Sequence, residues 1–337
     1  MNKVQFDVTP AFSPARFAPT GNLQTILSYY FFNAKTNSPC KRHQIVLNDG
    51  DVLLLRDYNP VNPVGNVVLL HGLSGDADSS YIQRVAAMFL AKNWRVLCVN
   101  HRGAGEGRGL AKNLYHSGRS EDVSAISQFV AREFSGESFF AVGFSLSGNM
   151  LLKLLGEKKQ PIPAQLAGAV SVCAPIDLST CSQKLRERKN RIYDKRFSRK
   201  LMKALRERQT DFPDFPKVNV PRFPRLYDFD EHVVAPLNGF FSAEDYYEKC
   251  NARQFWAGIA TPTLVLASDD DPFIPGTIYQ GLPENPAVKV ILTRGGGHLG
   301  FLSQNKTPLG NRRWMDYAIL EFFELLRARM IETTNIS

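Results

Sequence analysis

A serine hydroxyl does covalent chemistry only where it is lifted clear of the packed chain and set beside a base. The sequence offers one such setting. The apolar run FFAVGF (139–144) leads into Ser145-Leu146-Ser147-Gly148 and straight on into a helical pattern that reaches Leu155. A serine on a tight turn between a buried strand and a helix presents its Oγ at the end of a sheet. The turn needs small residues two positions to either side, because larger ones collide with the adjoining strand and helix. Gly143 and Ser147 occupy those positions around Ser145. Ser147 is flanked instead by Ser145 and Asn149, so Ser145 is the expected nucleophile. The bland alternative is a glycine-rich turn that opens a core helix.

The base must come from the six histidines: His43, His71, His101, His116, His232 and His298. In sheet enzymes built on such a turn the nucleophile is followed by an acid and then by the histidine. Only His232 and His298 follow Ser145, and His232 lies in a stretch without strands. His298, in TRGGGHLGF after the last apolar run, is the expected general base. Its orienting acid is expected from LVLASDDDPFIP (264–275). Asp271 has a proline four residues on, and Asp270 is the runner-up. Three consecutive aspartates could suggest a metal site, but adjacent side chains diverge and no further ligand cluster accompanies them, so no metal is expected.

HGLSG (71–75) follows another apolar run, and the backbone N–H of Leu73 can point at a developing oxyanion together with that of Leu146. His71 is expected to pack beneath the site. His101 and Arg102 in NHRG, and His116 in YHSG, are expected to hold loops by hydrogen bonds. A phosphate-binding loop is excluded: the glycine-rich strings lack the Walker lysine, and no G-x-G-x-x-G opens a helix after a strand. No cofactor is expected.

These residues must be carried by a sheet. Apolar runs at 44–47, 51–58, 66–72, 94–103, 139–145, 167–175, 262–268 and 288–294 alternate with helical patterns at 79–92, 120–134, 147–157 and about 311–330. The first two flank Asn48-Asp49-Gly50, a hairpin signal. The later runs lack polar alternation, as strands covered on both faces do. The pattern predicts an α/β fold: a mostly parallel sheet of about eight strands with helices on both faces. Residues 178–255 carry no strand signal, so they are expected to form a helical cap inserted into a single domain that spans 1–337.

The 337 residues are 44% hydrophobic, enough for a large core, which excludes a disordered chain or a disulfide miniprotein. Five scattered cysteines without a CxxC pair, and no signal-like apolar run at the start, point to a cytoplasmic protein. The net charge of +9 is local: residues 184–208 hold 12 basic and 3 acidic side chains, and the remainder is balanced at 29 of each sign. That segment also carries apolar residues at helical spacing (Tyr193, Phe197, Leu201, Leu205), which leaves two readings: peripheral contact with an anionic membrane surface or lipid-like substrate, or a solvated charged face whose apolar stripe packs on the sheet. It contains no nucleic-acid module, and no nucleic-acid partner is expected.

Taken together, GNLQTIL (21–27), HGLSG, HRGAGEGRGLAKNLYHSGRSEDV (101–123), GFSLSGNM, DYYEKC (245–250), DDPFIP and GGHLGF resemble the α/β-hydrolase superfamily, and within it the YheT-type group of hydrolases. The resemblance spans nearly the whole chain. It departs at Asn22, where that group tends to have histidine, and at Ser147, where it usually has glycine. It implies the α/β-hydrolase fold and a triad of Ser145, Asp271 and His298. The function this implies is a serine esterase that cleaves carboxylic esters, lipid-like or of short to medium chain, through an acyl-enzyme. Acyl transfer to an alcohol, or binding without catalysis on the same scaffold, are the alternatives.

Overall fold

A strand buried on both faces can be apolar at every position, because successive side chains point into opposite cores. The computed structural model, which describes residues 6–31, 36 and 38–336, builds its sheet on that rule. The strands are β1 (Lys41–Val46), β2 (Val52–Tyr58), β3 (Asn66–Leu70), β4 (Arg95–Asn100), β5 (Phe139–Phe144), β6 (Leu166–Val172), β7 (Thr263–Ser268) and β8 (Val288–Thr293). Their spatial order is β1-β2-β4-β3-β5-β6-β7-β8. β1 and β2 form an antiparallel hairpin, β2 runs antiparallel to β4, and every later pairing is parallel. On β5, Phe139 and Ala141 feed one core while Phe140 and Val142 feed the other. The sequence patterns thus match the observed α/β architecture strand for strand.

Helices cover both faces. α1 (Gly21–Phe31) precedes the sheet, and α2 (Ser80–Leu90), α3 (Ser120–Glu133) and α4 (Leu146–Glu157) link its parallel strands. Between β6 and β7 come α5 (Leu178–Arg186), α6 (Arg191–Asp211), the short α7 (Leu226–Phe229), a π-helical turn over Asp230–Val234 that runs into α8 (Ala235–Leu237), and α9 (Ala243–Cys250). α10 (Trp314–Ile336) closes the chain and packs Phe322 and Phe323 against the face that also holds Trp94 and Phe140. The stretch between β6 and β7 has an apolar cluster of its own, which includes Leu178, Leu205, Phe229, Val233 and Tyr247. Buried Arg208 of α6 ties this stretch to the loop after β4, donating from Nη2 to the carbonyls of Arg102 (2.7 Å) and Asn113 (3.0 Å). No described helix is long and apolar enough to cross a membrane.

α1 was not anticipated from the sequence. Its first residue explains its placement. A Cβ on Gly21 would lie 1.8 Å from the carbonyl oxygen of Asp270, so only glycine lets the helix start against that loop. Gln24 then stitches α1 to the far end of the chain, donating to Leu302 O (3.0 Å) and accepting from Leu302 N (2.6 Å).

Candidate active site

Ser145 is the residue at which β5 turns into α4. Its backbone sits at φ 54° and ψ −119°, a left-handed region that non-glycine residues avoid at a cost of about 1–3 kcal/mol. The turn is held by the Ser145 N–H donating to Val172 O at 2.8 Å. It is also tight: a Cβ on Gly143 would meet Ser147 O at 2.5 Å. The glycine that the sequence places two residues before Ser145 is therefore demanded by contact.

Three loops converge on this hydroxyl. His298 Nε2 lies 3.1 Å from Ser145 Oγ, and His298 Nδ1 lies 2.7 Å from Asp271 Oδ2. With Nδ1–H donating to the carboxylate, the Nε2 lone pair faces the serine. The other oxygen of Asp271 accepts the N–H groups of Phe273 (3.1 Å) and Ile274 (3.0 Å), which fixes the carboxylate plane. The two preceding aspartates point elsewhere. Asp270 Oδ1 accepts Gly297 N–H at 2.8 Å, and Asp269 Oδ1 accepts Gly295 N–H at 2.7 Å. Three adjacent carboxylates thus diverge, and two of them clamp the glycine loop that carries His298. On the other side, Thr25 of α1 accepts the backbone N–H of His298 at 2.8 Å.

Ser147 is engaged in a separate network. Its Oγ donates to the carbonyl of His71 and, with its one hydrogen spent there, accepts from His101 Nε2 at 2.7 Å. His71 Nδ1–H donates to Gly72 O at 2.8 Å, and its Nε2 accepts His101 N–H at 3.2 Å. Burial drives the His71 imidazole down to about 4 and that of His101 well below its ordinary value, so both are neutral at pH 7. Arg102, as buried as its histidine neighbour, donates to Asp122, Asp49 and Asp51 and anchors the loop after β4. His116 accepts Gly118 N–H on Nδ1 at 3.1 Å and is likewise held neutral by burial.

Two cavities meet at Ser145. The first is bounded by α1 and α6 and reaches His298, Tyr193, Arg196 and Tyr30. The second runs under α5 and the π-helical turn to Phe229, Asp230, Tyr246 and Tyr247. Leu73 lines both, while Leu146 lines the second. Phe273 packs its ring 4.3 Å from that of His298 and separates the imidazole from α6. Asn22, at the position where the resemblance departs, accepts a hydrogen bond from Tyr193 OH at 2.7 Å and so joins α1 to α6 across the first cavity.

Cys173, Asp271 and His298 present ligand atoms within 4.8 Å of one another. The chemistry of the set is poor for a metal ion. Burial, reinforced by Asp271, pushes the Cys173 thiol well above its ordinary value, and the Asp271–His298 bond already occupies the facing lone pair. Sequence reasoning missed Cys173, Thr25 and Asp230 as neighbours of the site.

A family model described as "alpha/beta hydrolase fold" matches residues 65–304. Over 325 residues the chain is 31% identical to the Escherichia coli K12 protein named "Putative esterase YheT", covering 94% of this chain and 93% of that one. It is 25% identical over 285 residues to a Saccharomyces cerevisiae protein named "Monoacylglycerol lipase", covering 80% of this chain and 62% of the yeast one. Among solved structures, the Pyrococcus furiosus esterase Pf2001 superposes with a TM-score of 0.56 at 17% identity, covering 95% of this chain and 100% of that one. At that identity the likeness concerns the fold.

Proposed function

Because the chain belongs to the α/β-hydrolase family, in its YheT-type group, we propose that it is a serine esterase acting on carboxylic esters. The observation that carries this reading is the continuous relay from Ser145 Oγ through His298 to Asp271, at 3.1 and 2.7 Å. In the proposed reaction Ser145 Oγ attacks the carbonyl carbon while its proton passes to His298 Nε2. The negative charge on the former carbonyl oxygen is met by the backbone N–H groups of Leu73 and Leu146. The new Nε2–H then protonates the departing alkoxide, which leaves an acyl group on Ser145. Water, deprotonated by Nε2, attacks that acyl group, and the acid departs as the serine recovers its proton. Asp271 holds the imidazole in its Nδ1–H tautomer and stabilises the imidazolium, without itself taking the proton.

Relatives named esterase and monoacylglycerol lipase support an ester as the substrate. The wall of the site supports an apolar one, since Phe197 and Phe273 line both cavities. We read residues 178–255 as a cap over this site. The outer side of its long helix, α6, is the proposed contact with anionic lipid: Arg191, Lys195, Arg199 and Arg206 share a groove with Arg222 and the exposed Phe223.

The test is labelling with a fluorophosphonate, followed by turnover of nitrophenyl esters of graded acyl length. Labelling that maps to Ser145 and hydrolysis of at least one ester are expected. Absence of both in folded protein would refute the reading.

A further inference from the structure

Asp230 is the anomaly of the second cavity. The residue is 9% exposed and stands on the π-helical turn Asp230–Val234, a distortion that recurs at functional sites. Among the described residues it has one hydrogen-bond partner: Tyr247 OH donates to Oδ2 at 2.7 Å. No cation among the described residues pairs with it. Oδ1 has no bond within the described protein, and the residue lines the same cavity as Ser145. Of the hydroxyls around it, Tyr246 OH accepts Ser117 N–H at 2.9 Å and Ser182 Oγ lies 3.1 Å from Tyr247 OH, and neither has a bond to the Asp230 carboxyl. Oδ1 is not among the fully occluded unpartnered atoms, so it opens onto the cavity as an acceptor that an entering group can bond.

Which part of an ester enters follows from the proposed reaction. The leaving oxygen must reach His298, and His298 lines the first cavity and not the second. The alcohol therefore departs through the first cavity, and the second receives the acyl chain. Its walls along the way are apolar: Leu178, Leu185, Leu201, Phe229 and Ile274. On the reading of the protein as a serine esterase, we propose that Asp230 is a specificity residue in the wall of the acyl cavity, and that the preferred substrates are esters of hydroxylated acyl chains, the hydroxyl bonding to Asp230 Oδ1. A hydroxyl suits the site better than an ammonium. Burial pushes the Asp230 carboxyl up to about 7, so a full negative charge is not standing ready to offset the desolvation of a cation. A hydroxyl both donates and accepts, and it matches the carboxyl in either protonation state.

The experiment compares nitrophenyl esters of plain, terminally hydroxylated and terminally aminated acyl chains over a series of matched lengths. At the length that spans the cavity, the hydroxylated ester is expected to exceed the plain one in kcat/KM by roughly ten- to a hundredfold, since a site built to bond a hydroxyl rejects its absence. Asp230→Leu is expected to bring that ratio to about one. A plain or aminated ester preferred at every length by the wild type would overturn the proposal, whether or not the variant folds. Binding of the matched free fatty acids to Ser145→Ala protein, by calorimetry, separates this idea from the esterase reading. Preference for the hydroxy acid without any ester turnover would sink the esterase assignment and keep the role of Asp230. Turnover without preference would do the reverse.

Discussion

Ser147 Oγ lies 2.7 Å from His101 Nε2, so the two serines of the turn belong to two different histidines. Ser145 faces His298 at 3.1 Å from a cavity wall, whereas Ser147 is fully buried. The Ser147 hydroxyl fills a polar niche made by the His71 carbonyl and the His101 ring. Ser147→Ala strips both of their partner, and a loss of about 1–3 kcal/mol is expected. Fluorophosphonate labelling should persist in that variant. Labelling lost in Ser147→Ala and kept in Ser145→Ala would invert the assignment of the nucleophile.

Ser145→Gly should separate activity from stability. Turnover is expected to fall on the order of 10⁴-fold or more, as when other triad serines are removed. Glycine accepts the φ of 54° without strain, which relieves about 1–3 kcal/mol against an entropic cost of about 0.5–1 kcal/mol. The variant should therefore unfold at higher urea concentration than Ser145→Ala, which keeps the strained conformation. Equal midpoints for the two would mean that the turn stores no such strain.

Gly21→Ala tests whether α1 positions the base. The added methyl would fall 1.8 Å from Asp270 O, a backbone atom that cannot swing aside. The helix must lift, and Thr25 then leaves the N–H of His298, which it accepts at 2.8 Å. The rate of labelling at Ser145 should drop roughly ten- to a hundredfold, in line with the cost of a small misplacement of a reacting group. An unchanged rate would show that the glycine loop alone orients His298.

What the sequence revealed and what it hid divide along a physical line. β5, β6 and β7 were legible because burial on both faces writes an unbroken apolar run. The pairing of Asp271 with His298 was legible from their places after late strands, and the structure brings them to 2.7 Å. α1 was not, because its place is set by a backbone contact between Gly21 and Asp270, far apart in the chain, and no periodicity records that. The clamping roles of Asp269 and Asp270 were hidden for the same reason. Asp230 was hidden twice over: it sits in the polar-looking string YDFDEHVV, and the π-helical turn shifts the 3.6-residue register by which a buried position would be read.

Asp230 also leaves a signature in the pH dependence of stability. Its carboxyl rises from an ordinary 3.8 to about 7 in the folded protein, through burial. Between those values the folded state holds a proton that the unfolded state releases, so stability from this group is lost as pH rises through the window. The groups facing it, Tyr246 and Tyr247, do not titrate there, since burial pushes both hydroxyls far up. Buried His71 acts in the opposite sense as the pH falls below its unfolded value, but it is common to both proteins and cancels in a difference. The unfolding free energy of Asp230→Asn relative to wild type, from urea titrations, should therefore climb from pH 4 to pH 7 and level off above, with a limiting slope of about 1.4 kcal/mol per pH unit. A difference that is flat with pH would mean that the carboxyl is ionised throughout.

The basic segment divides by geometry into two populations, and only one is free to meet a surface. Arg208 is buried against the carbonyls of Arg102 and Asn113, and Arg196 stacks over Tyr29 at the mouth of the first cavity. Arg191, Lys195, Arg199 and Arg206 instead share the outer face of α6, beside Arg222 and the 83% exposed Phe223, with Ile192 80% exposed nearby. Cations around protruding apolar side chains fit an anionic lipid surface, which attracts the charge and takes up the ring. Such contact should be screened by salt, since the Debye length is about 10 Å at 0.1 M, whereas packing of the buried face of α6 should not be. Co-sedimentation with vesicles rich in phosphatidylserine is expected at low salt and should fade at high salt. Replacing Lys195, Arg199, Arg206 and Arg222 with glutamine should abolish it without lowering the urea midpoint, because none of the four forms a buried pair among the described residues. Equal retention of that variant and the wild type, or equal binding to neutral vesicles, would remove the charged face from the account and leave α6 as a wall of the site alone.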